Sequence, residues 1–251
     1  LYGARHELSQ AICRERATLM LLGGKQTEIK QVAVTTSNRQ FKQLLSSILG
    51  EWKFFAVEDL AEASVVFAEY GTDLPELAAE VVWLAPQPLS AGRYLTIPIS
   101  LSQLYTLLET EYFPTPRRHI RIAIEDRVNV CLDGAWQDCR MVSLAERGGR
   151  FVCQDELQRG TVLQLEMQVA GKLLQLPAEV LYSIPAGDSS CRSLPHVGVL
   201  FRPTDDRLIT MLRRFIEKTC VESACAREGI ALDDPCLRRV DYIDDPWHEI
   251  T

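Results

Sequence analysis

The sequence predicts two unlike layers in series: a parallel α/β sheet covered by helices, then a small antiparallel β-barrel closed by a helix. Three observations lead there. Buried-type apolar runs alternate with helical stripes between Val32 and Leu108. Two prolines in three residues, Pro114-Thr115-Pro116, interrupt the chain. Beyond them the apolar period drops from 3.6 to 2. A length of 251 residues with 47% hydrophobic and 24% charged content is ample for such cores and unlike a disordered chain.

In order, Glu7 to Leu22 reads as a loose helix ended by Gly23-Gly24, within an extension covering residues 1–27. Val32-Ala33-Val34 is a buried strand followed by the capping run Thr35-Thr36-Ser37-Asn38. Phe41, Leu44, Leu45, Ile48 and Leu49 make one helix face, with Gly50 closing it. Trp52 to Val57 reads as a strand. Leu60, Ala63, Phe67 and Tyr70 fit a second helix ended by Gly71. Val81 to Leu84 and Tyr94 to Ile97 are further strands, and Leu101, Leu104, Tyr105 and Leu108 mark the last helix of residues 28–113. The double-proline break cannot continue a helix, which sets a boundary at residue 114.

Then come alternating strands: Ile120 to Ile124, Val128 to Leu132, Cys139 to Leu144, Arg150 to Cys153, Thr161 to Val169, Leu173 to Tyr182 and Val197 to Phe201. Asp133-Gly134 is a hairpin signal between two of them. Thr204 is read as the cap of a helix carrying Leu208, Met211, Leu212, Phe215 and Ile216, so the barrel occupies residues 114–219. An acidic, weakly patterned tail follows over residues 220–251.

The net charge of −7 argues against general nucleic-acid binding. No apolar run is long enough to span a bilayer, and no secretory cleavage pattern appears, so the expected location is the cytoplasm. Eight cysteines without a CxxC pair read as reduced thiols, and Cys220, Cys225, Cys236 and His248 match no common zinc spacing. No nucleophile elbow or phosphate loop is present, so no enzyme, metal or cofactor is expected.

The sharpest chemistry is Arg117-Arg118-His119-Ile120-Arg121, a basic run in an acidic chain. In an extended segment Arg117 and Arg121 share a face, where two guanidinium groups clamp phosphate or the O6/N7 edge of guanine. With Ser143-Leu144-Ala145-Glu146-Arg147-Gly148-Gly149, this segment resembles the PilZ family of bacterial cyclic-di-GMP receptors, whose motifs are RxxxR and [D/N]xSxxG. The resemblance runs from about Pro116 to Lys218 and includes Gly160 to Leu163, Ala178 to Val180 and Val197 to Phe201. It implies a ligand site of Arg117, Arg118, Arg121, Ser143, Arg147 and Gly148, with cyclic-di-GMP as regulatory ligand. The second motif departs from the family. Ser143 replaces the acidic or amide residue that accepts from guanine N–H groups, and Ala145 replaces the serine. Each loss costs on the order of 1–3 kcal/mol if a ligand group is left unpaired.

Residues 28–113 resemble a response-regulator receiver domain stripped of its chemistry. Thr36 and Ser37 stand where magnesium-binding acids belong, Val82-Trp83-Leu84-Ala85 lacks the phosphoryl-accepting Asp, and Ile97 replaces the lysine. The fold class is therefore a receiver-like parallel α/β sandwich followed by a six-stranded antiparallel PilZ-like β-barrel with a C-terminal helix. The functional expectation is a cyclic-di-GMP-binding effector or adaptor of motility, adhesion or biofilm control. In it the ligand, bound at the interdomain linker, changes domain orientation and the binding of an unidentified protein partner. The alternative is a degenerate PilZ interaction module that no longer binds the nucleotide. Homo-oligomer formation is left open.

Overall fold

The computed structural model describes residues 30–187, 193–202 and 205–242. The helix expected over Glu7 to Leu22, the cap at Thr204, and Cys13, Cys191, His6 and His248 lie outside the described residues. From Gln31 onward the described residues belong to one compact unit.

The first layer is a five-stranded parallel sheet in the order β2-β1-β3-β4-β5, the order of flavodoxin-like sheets. Its strands are β1 (Gln31–Thr35), β2 (Phe55–Ala56), β3 (Val65–Glu69), β4 (Glu80–Ala85) and β5 (Arg93–Thr96). Helix α1 (Arg39–Glu51) starts at Asn38, whose side chain accepts from the Phe41 N–H, and buries Phe41, Leu44, Leu45, Ile48 and Leu49 as their spacing requires. Helix α2 (Leu101–Tyr112) starts at Ser100 and buries Leu101, Leu104, Tyr105 and Leu108.

Two expectations fail here. The run Leu60 to Tyr70 is not a helix: only Leu60–Glu62 makes a 3-10 turn, and Val65–Glu69 is β3. Val65, Val66, Phe67 and Ala68 are buried together on both sheet faces, which a helix exposing one side would not allow. Four apolar residues at helical spacing concealed a β-branched run. The strand expected over Trp52 to Val57 shrinks to Phe55–Ala56. The Trp52 and Lys53 N–H groups bond back to the Leu49 and Gly50 carbonyls, with Lys53 at φ 68°.

The second layer is a closed barrel in the order β10-β11-β8-β7-β6-β9. It comprises β6 (Arg121–Leu132), β7 (Ala135–Ala145), β8 (Gly148–Val152), β9 (Val162–Val169), β10 (Lys172–Ile184) and β11 (His196–Phe201). The two short strands expected before Asp133 are one strand with an irregularity between Ala123 and Asp126. Asp133 and Gly134 both take positive φ, as a two-residue hairpin turn demands.

Helix α3 (Asp206–Glu228) is capped by Asp205 and ended by Gly229 in the left-handed conformation. It runs past the boundary expected at residue 219, because Cys220, Val221, Ala224 and Cys225 extend its buried stripe. The stretch expected as an acidic tail is instead packed: Pro235–Arg239 forms a 3-10 turn, Cys236, Leu237 and Val240 are buried, and Val240 bridges to Ile99. One apolar core runs from the sheet through α3 into the barrel.

Candidate functional site

The chain leaves α2 at Tyr112, turns at the prolines and enters the barrel at Arg121. Between them the Arg117 N–H donates to Glu109 Oε2 at 2.8 Å. Glu109 is a buried carboxylate on α2. The Tyr105 hydroxyl interacts with both Glu109 and the Arg117 guanidinium, and burial pushes Tyr105 up to about 12. Arg117 is thus anchored on α2. Residues 117–120 form no strand, so alternation does not carry Arg117 and Arg121 to one face as the sequence suggested.

Arg121 is placed otherwise. It pairs with Ala145, which pairs with Gly148, so its backbone lies at the corner of the β7–β8 hairpin. Arg147 is exposed in that two-residue turn, and Arg118 is exposed on the linker. Arg118, Arg121 and Arg147 make no ion pair among the described residues. Ser143 and Ala145 are each 6% exposed and sit in the adjoining stretch of β7. The structure therefore sets Arg121, Ser143, Arg147 and Gly148 at one hairpin, places Arg118 on a cavity shared with Glu146, and bonds the Arg117 backbone N–H to Glu109 of α2.

Gly148 earns its place by packing. Its φ is not positive, and a Cβ there would stand 2.4 Å from the Val199 carbonyl oxygen of β11. A glycine retained from a ligand motif is, in this chain, required by the approach of two strands.

The linker and the hairpin are joined by a clasp that the sequence reading missed. His119 Nδ1 lies 2.9 Å from Glu146 Oε1, while Arg213 of α3 donates from Nε to Glu146 Oε2 at 2.6 Å and from Nη2 to Oε1 at 3.2 Å. Glu146 is 4% exposed. These residues and Glu217 line a cavity of about 160 Å³ between α2, α3 and the hairpin. Burial lowers the His119 pKa, against the pull of Glu146, and burial raises that of Glu217, whose carboxylate accepts from the Ser102 hydroxyl. His119 and Glu146 occupy the unspecified positions of the two motifs, so only their contact across the fold identifies them.

Two further groups lie on the barrel's outer face. Ala123, Ser143, Arg150, Gly198 and Tyr182 are register partners in turn across β6, β7, β8, β11 and β10. The Arg150 Nε is buried with no hydrogen-bond partner among the described residues. A Cβ on Gly198 would fall 2.2 Å from the Tyr182 ring, so the ring lies directly over the glycine. Arg150 follows the second motif by two residues, which was the available signal.

The sheet's carboxyl edge, the other place where ligands gather in such folds, is filled. Thr36 Oγ1 donates to Glu69 Oε2 at 2.7 Å, Ser37 adds longer bonds, and Arg239 donates to Glu69 Oε1 at 2.6 Å. The Arg239 hydrogen bond holds the Glu69 carboxyl down at about 2. Arg239 also sits 4.8 Å over the Phe41 ring.

A family profile described as the PilZ domain matches residues 115–218. This chain carries a PilZ domain. The match covers the RxxxR segment, the β7–β8 hairpin and α3 as far as Lys218. Among solved structures, similar chains include YcgR from Escherichia coli in complex with c-di-GMP, at 17% identity over 48% of this chain and 53% of that one (TM-score 0.39). The MrkH–c-di-GMP complex of K. pneumonia is similar at 14% identity over 47% and 56% (TM-score 0.36). The Bacillus subtilis inhibitor of motility MotI/DgrA is similar at 13% over 43% and 53% (TM-score 0.37). The chain thus spans about half the length of each of these proteins. No curated protein matches it.

Proposed function

We propose that this protein is a non-enzymatic, cytoplasmic cyclic-di-GMP effector whose PilZ barrel, residues 114–219, takes the nucleotide at the linker and the β7–β8 hairpin. Residues 28–113 serve as a pseudo-receiver that contacts a protein partner in motility or biofilm control. The observation that carries this reading is a group of arginines that make no ion pair among the described residues, Arg118, Arg121 and Arg147, beside the hairpin of a PilZ domain. A ligand with two phosphates supplies the charge they lack.

Arg117 completes the set by leaving α2. Its departure frees Glu109 and Tyr105 on the last turns of α2. The clasp through His119, Glu146 and Arg213 passes the movement to α3, which reaches α1 through the Arg227 bonds to Ser47 and Glu51. Because the two layers share an apolar core, the domain reorientation is a shift at the joint and not an opening. Among the described residues no helix is long and apolar enough to cross a membrane.

Calorimetry of the full chain with cyclic-di-GMP tests the reading. Binding is expected, with a loss of about a hundredfold or more in an Arg117→Ala/Arg121→Ala variant. Absence of heat at high-micromolar ligand, or equal binding by the variant, overturns it. The buried Ser143 hydroxyl and Ala145 methyl favour a second reading, a PilZ interaction module without a ligand. Capture of a partner that added nucleotide neither strengthens nor weakens would support that reading.

A further inference from the structure

Two thiols face each other at the end of the β7–β8 hairpin away from its turn. Arg140 pairs with Val152 and Met141 with Phe151, so the same antiparallel ladder sets Cys139 opposite Cys153. Alternation turns both side chains inward: Arg140 is exposed, while Cys139 and Cys153 are buried. The Cys153 N–H donates to the Pro195 carbonyl, which keeps its backbone on the barrel wall. The contact between the sulfurs is direct. The Cys139 thiol hydrogen-bonds to the Cys153 sulfur, and Cys153 Sγ donates to the Asp155 carbonyl oxygen at 2.9 Å.

Opposed residues on antiparallel strands hold their Cβ atoms about 4.5–5.5 Å apart, and a disulfide spans about 3.5–4.5 Å between them. A small approach of the two strands therefore suffices to join the sulfurs. A cross-link made this way carries some strain, and strained disulfides are the readily reduced ones.

The two sulfurs are not equivalent. The hydrogen bond from Cys139 lowers the Cys153 pKa, against the effect of burial, and the same contact raises that of Cys139. Burial pushes Cys220 and Cys236 up to about 12 and raises Cys225 as well, so those thiols stay protonated at neutral pH. Cys153 also directly follows β8, and the next residues, Gln154, Asp155 and Glu156, are exposed. The approach to its sulfur is through this loop and not through the barrel.

We infer that Cys139 and Cys153 form a reversible disulfide when the protein meets a hydroperoxide, with Cys153 reacting first and Cys139 resolving it. The Cys153 thiolate attacks a peroxide oxygen. The S–O bond forms, the O–O bond breaks, and the leaving hydroxide takes up the proton that the thiol gave up. Cys139 then attacks the sulfenic sulfur. The S–S bond forms, the S–O bond breaks, and the oxygen leaves as water with the Cys139 proton. Two thiols are oxidised and one hydrogen peroxide is reduced to two waters. The bond fastens β7 to the end of β8, about 20 Å along the hairpin from its turn, and is independent of the nucleotide reading.

The test treats the full chain, reduced and free of nucleotide, with a few equivalents of hydrogen peroxide. Thiol titration and peptide mass mapping read the result. Two thiols should be lost together, the mass should fall by two hydrogens, and the linked peptides should be those of Cys139 and Cys153. Dithiothreitol should restore both thiols. With folding checked by melting curves, Cys139→Ala should stop at a sulfenic acid on Cys153 that dimedone captures, and Cys153→Ala should lose the disulfide. Intact thiols after peroxide, a bond between other cysteines, or a product that dithiothreitol does not reverse overturns the inference on the parent protein alone. A Cys153→Ala variant that still loses two thiols as the parent does overturns it as well.

Discussion

Two places in this molecule gather charged side chains, and they are finished differently. At the carboxyl edge of the sheet, Glu69 is engaged by Arg239, Thr36 and Ser37. The residue that fills the cation position comes from the C-terminal 3-10 turn, so the site is closed by the chain itself. At the barrel hairpin, Arg118, Arg121 and Arg147 have no ion-pair partner among the described residues, and Arg150 keeps a buried donor unpaired. The sheet edge thus pairs its charges, whereas Arg118, Arg121, Arg147 and Arg150 make no ion pair among the described residues, and the proposed ligand site rests on that difference.

The largest effect that could break this contrast comes from reversing a charge at the open site. Arg121→Glu is expected to reduce cyclic-di-GMP affinity by about a hundredfold or more. Its stability should stay within about 0.5 kcal/mol of the parent, as for exposed surface positions. Arg239→Ala should do the opposite. It strands the Glu69 carboxylate and costs about 1–3 kcal/mol in urea unfolding, while leaving nucleotide affinity unchanged. If Arg121→Glu unfolds the protein or Arg239→Ala abolishes binding, the two regions do not divide labour in this way.

Next in size is Gly148→Ala, which asks whether a motif glycine belongs to the ligand or to the barrel. A methyl group there meets the Val199 carbonyl at 2.4 Å, and overpacking of that kind costs about 1–3 kcal/mol. The loss should appear in thermal unfolding of the free protein. A variant that melts normally but fails to bind would return Gly148 to the ligand site.

The same contrast explains what the sequence could disclose. The barrel was legible nearly strand by strand, because alternation at period 2 with glycine and aspartate turns is a local signal. The sheet was less so: Val65 to Ala68, buried on both faces, has no periodicity to read, and Leu60, Ala63, Phe67 and Tyr70 mimicked a helix. Arg117 and Arg121 were visible as a motif, but the bond from the Arg117 N–H to Glu109 was not, since Glu109 lies on α2. The clasp of His119, Glu146 and Arg213 joins residues far apart in the chain, and Arg239 meets Glu69 from 170 positions away. No spacing rule reaches so far.

A pH titration sharpens the closed site. Glu69 has its carboxyl lowered from 4.5 to about 2 in the folded state. A group depressed on folding stabilises fully above its unfolded pKa and loses that contribution as pH falls through the folded value. Stability from this residue should therefore be complete above about 4.5 and disappear toward about 2. Unfolding by urea at pH 5 and at pH 3 should show a larger drop for the parent than for Glu69→Gln. Equal drops would mean that the Arg239 contact is not what closes the sheet edge.

The smallest effect bears on how the open site is kept ready. Glu109 accepts from the Arg117 N–H at 2.8 Å, and in the proposed function this contact, with Tyr105, opposes the swing of the Arg117 guanidinium toward the hairpin. Glu109→Gln keeps an acceptor for that N–H but removes the charge, so less is lost when Arg117 leaves α2. Cyclic-di-GMP affinity should rise by about threefold, an amount below 1 kcal/mol. In an Arg117→Ala background the same substitution should be silent, because the residue being released is gone. Weaker binding after Glu109→Gln would mean that the carboxylate orients the linker for the ligand instead of holding it back, and α2 would then be part of the binding face and not the brake upon it.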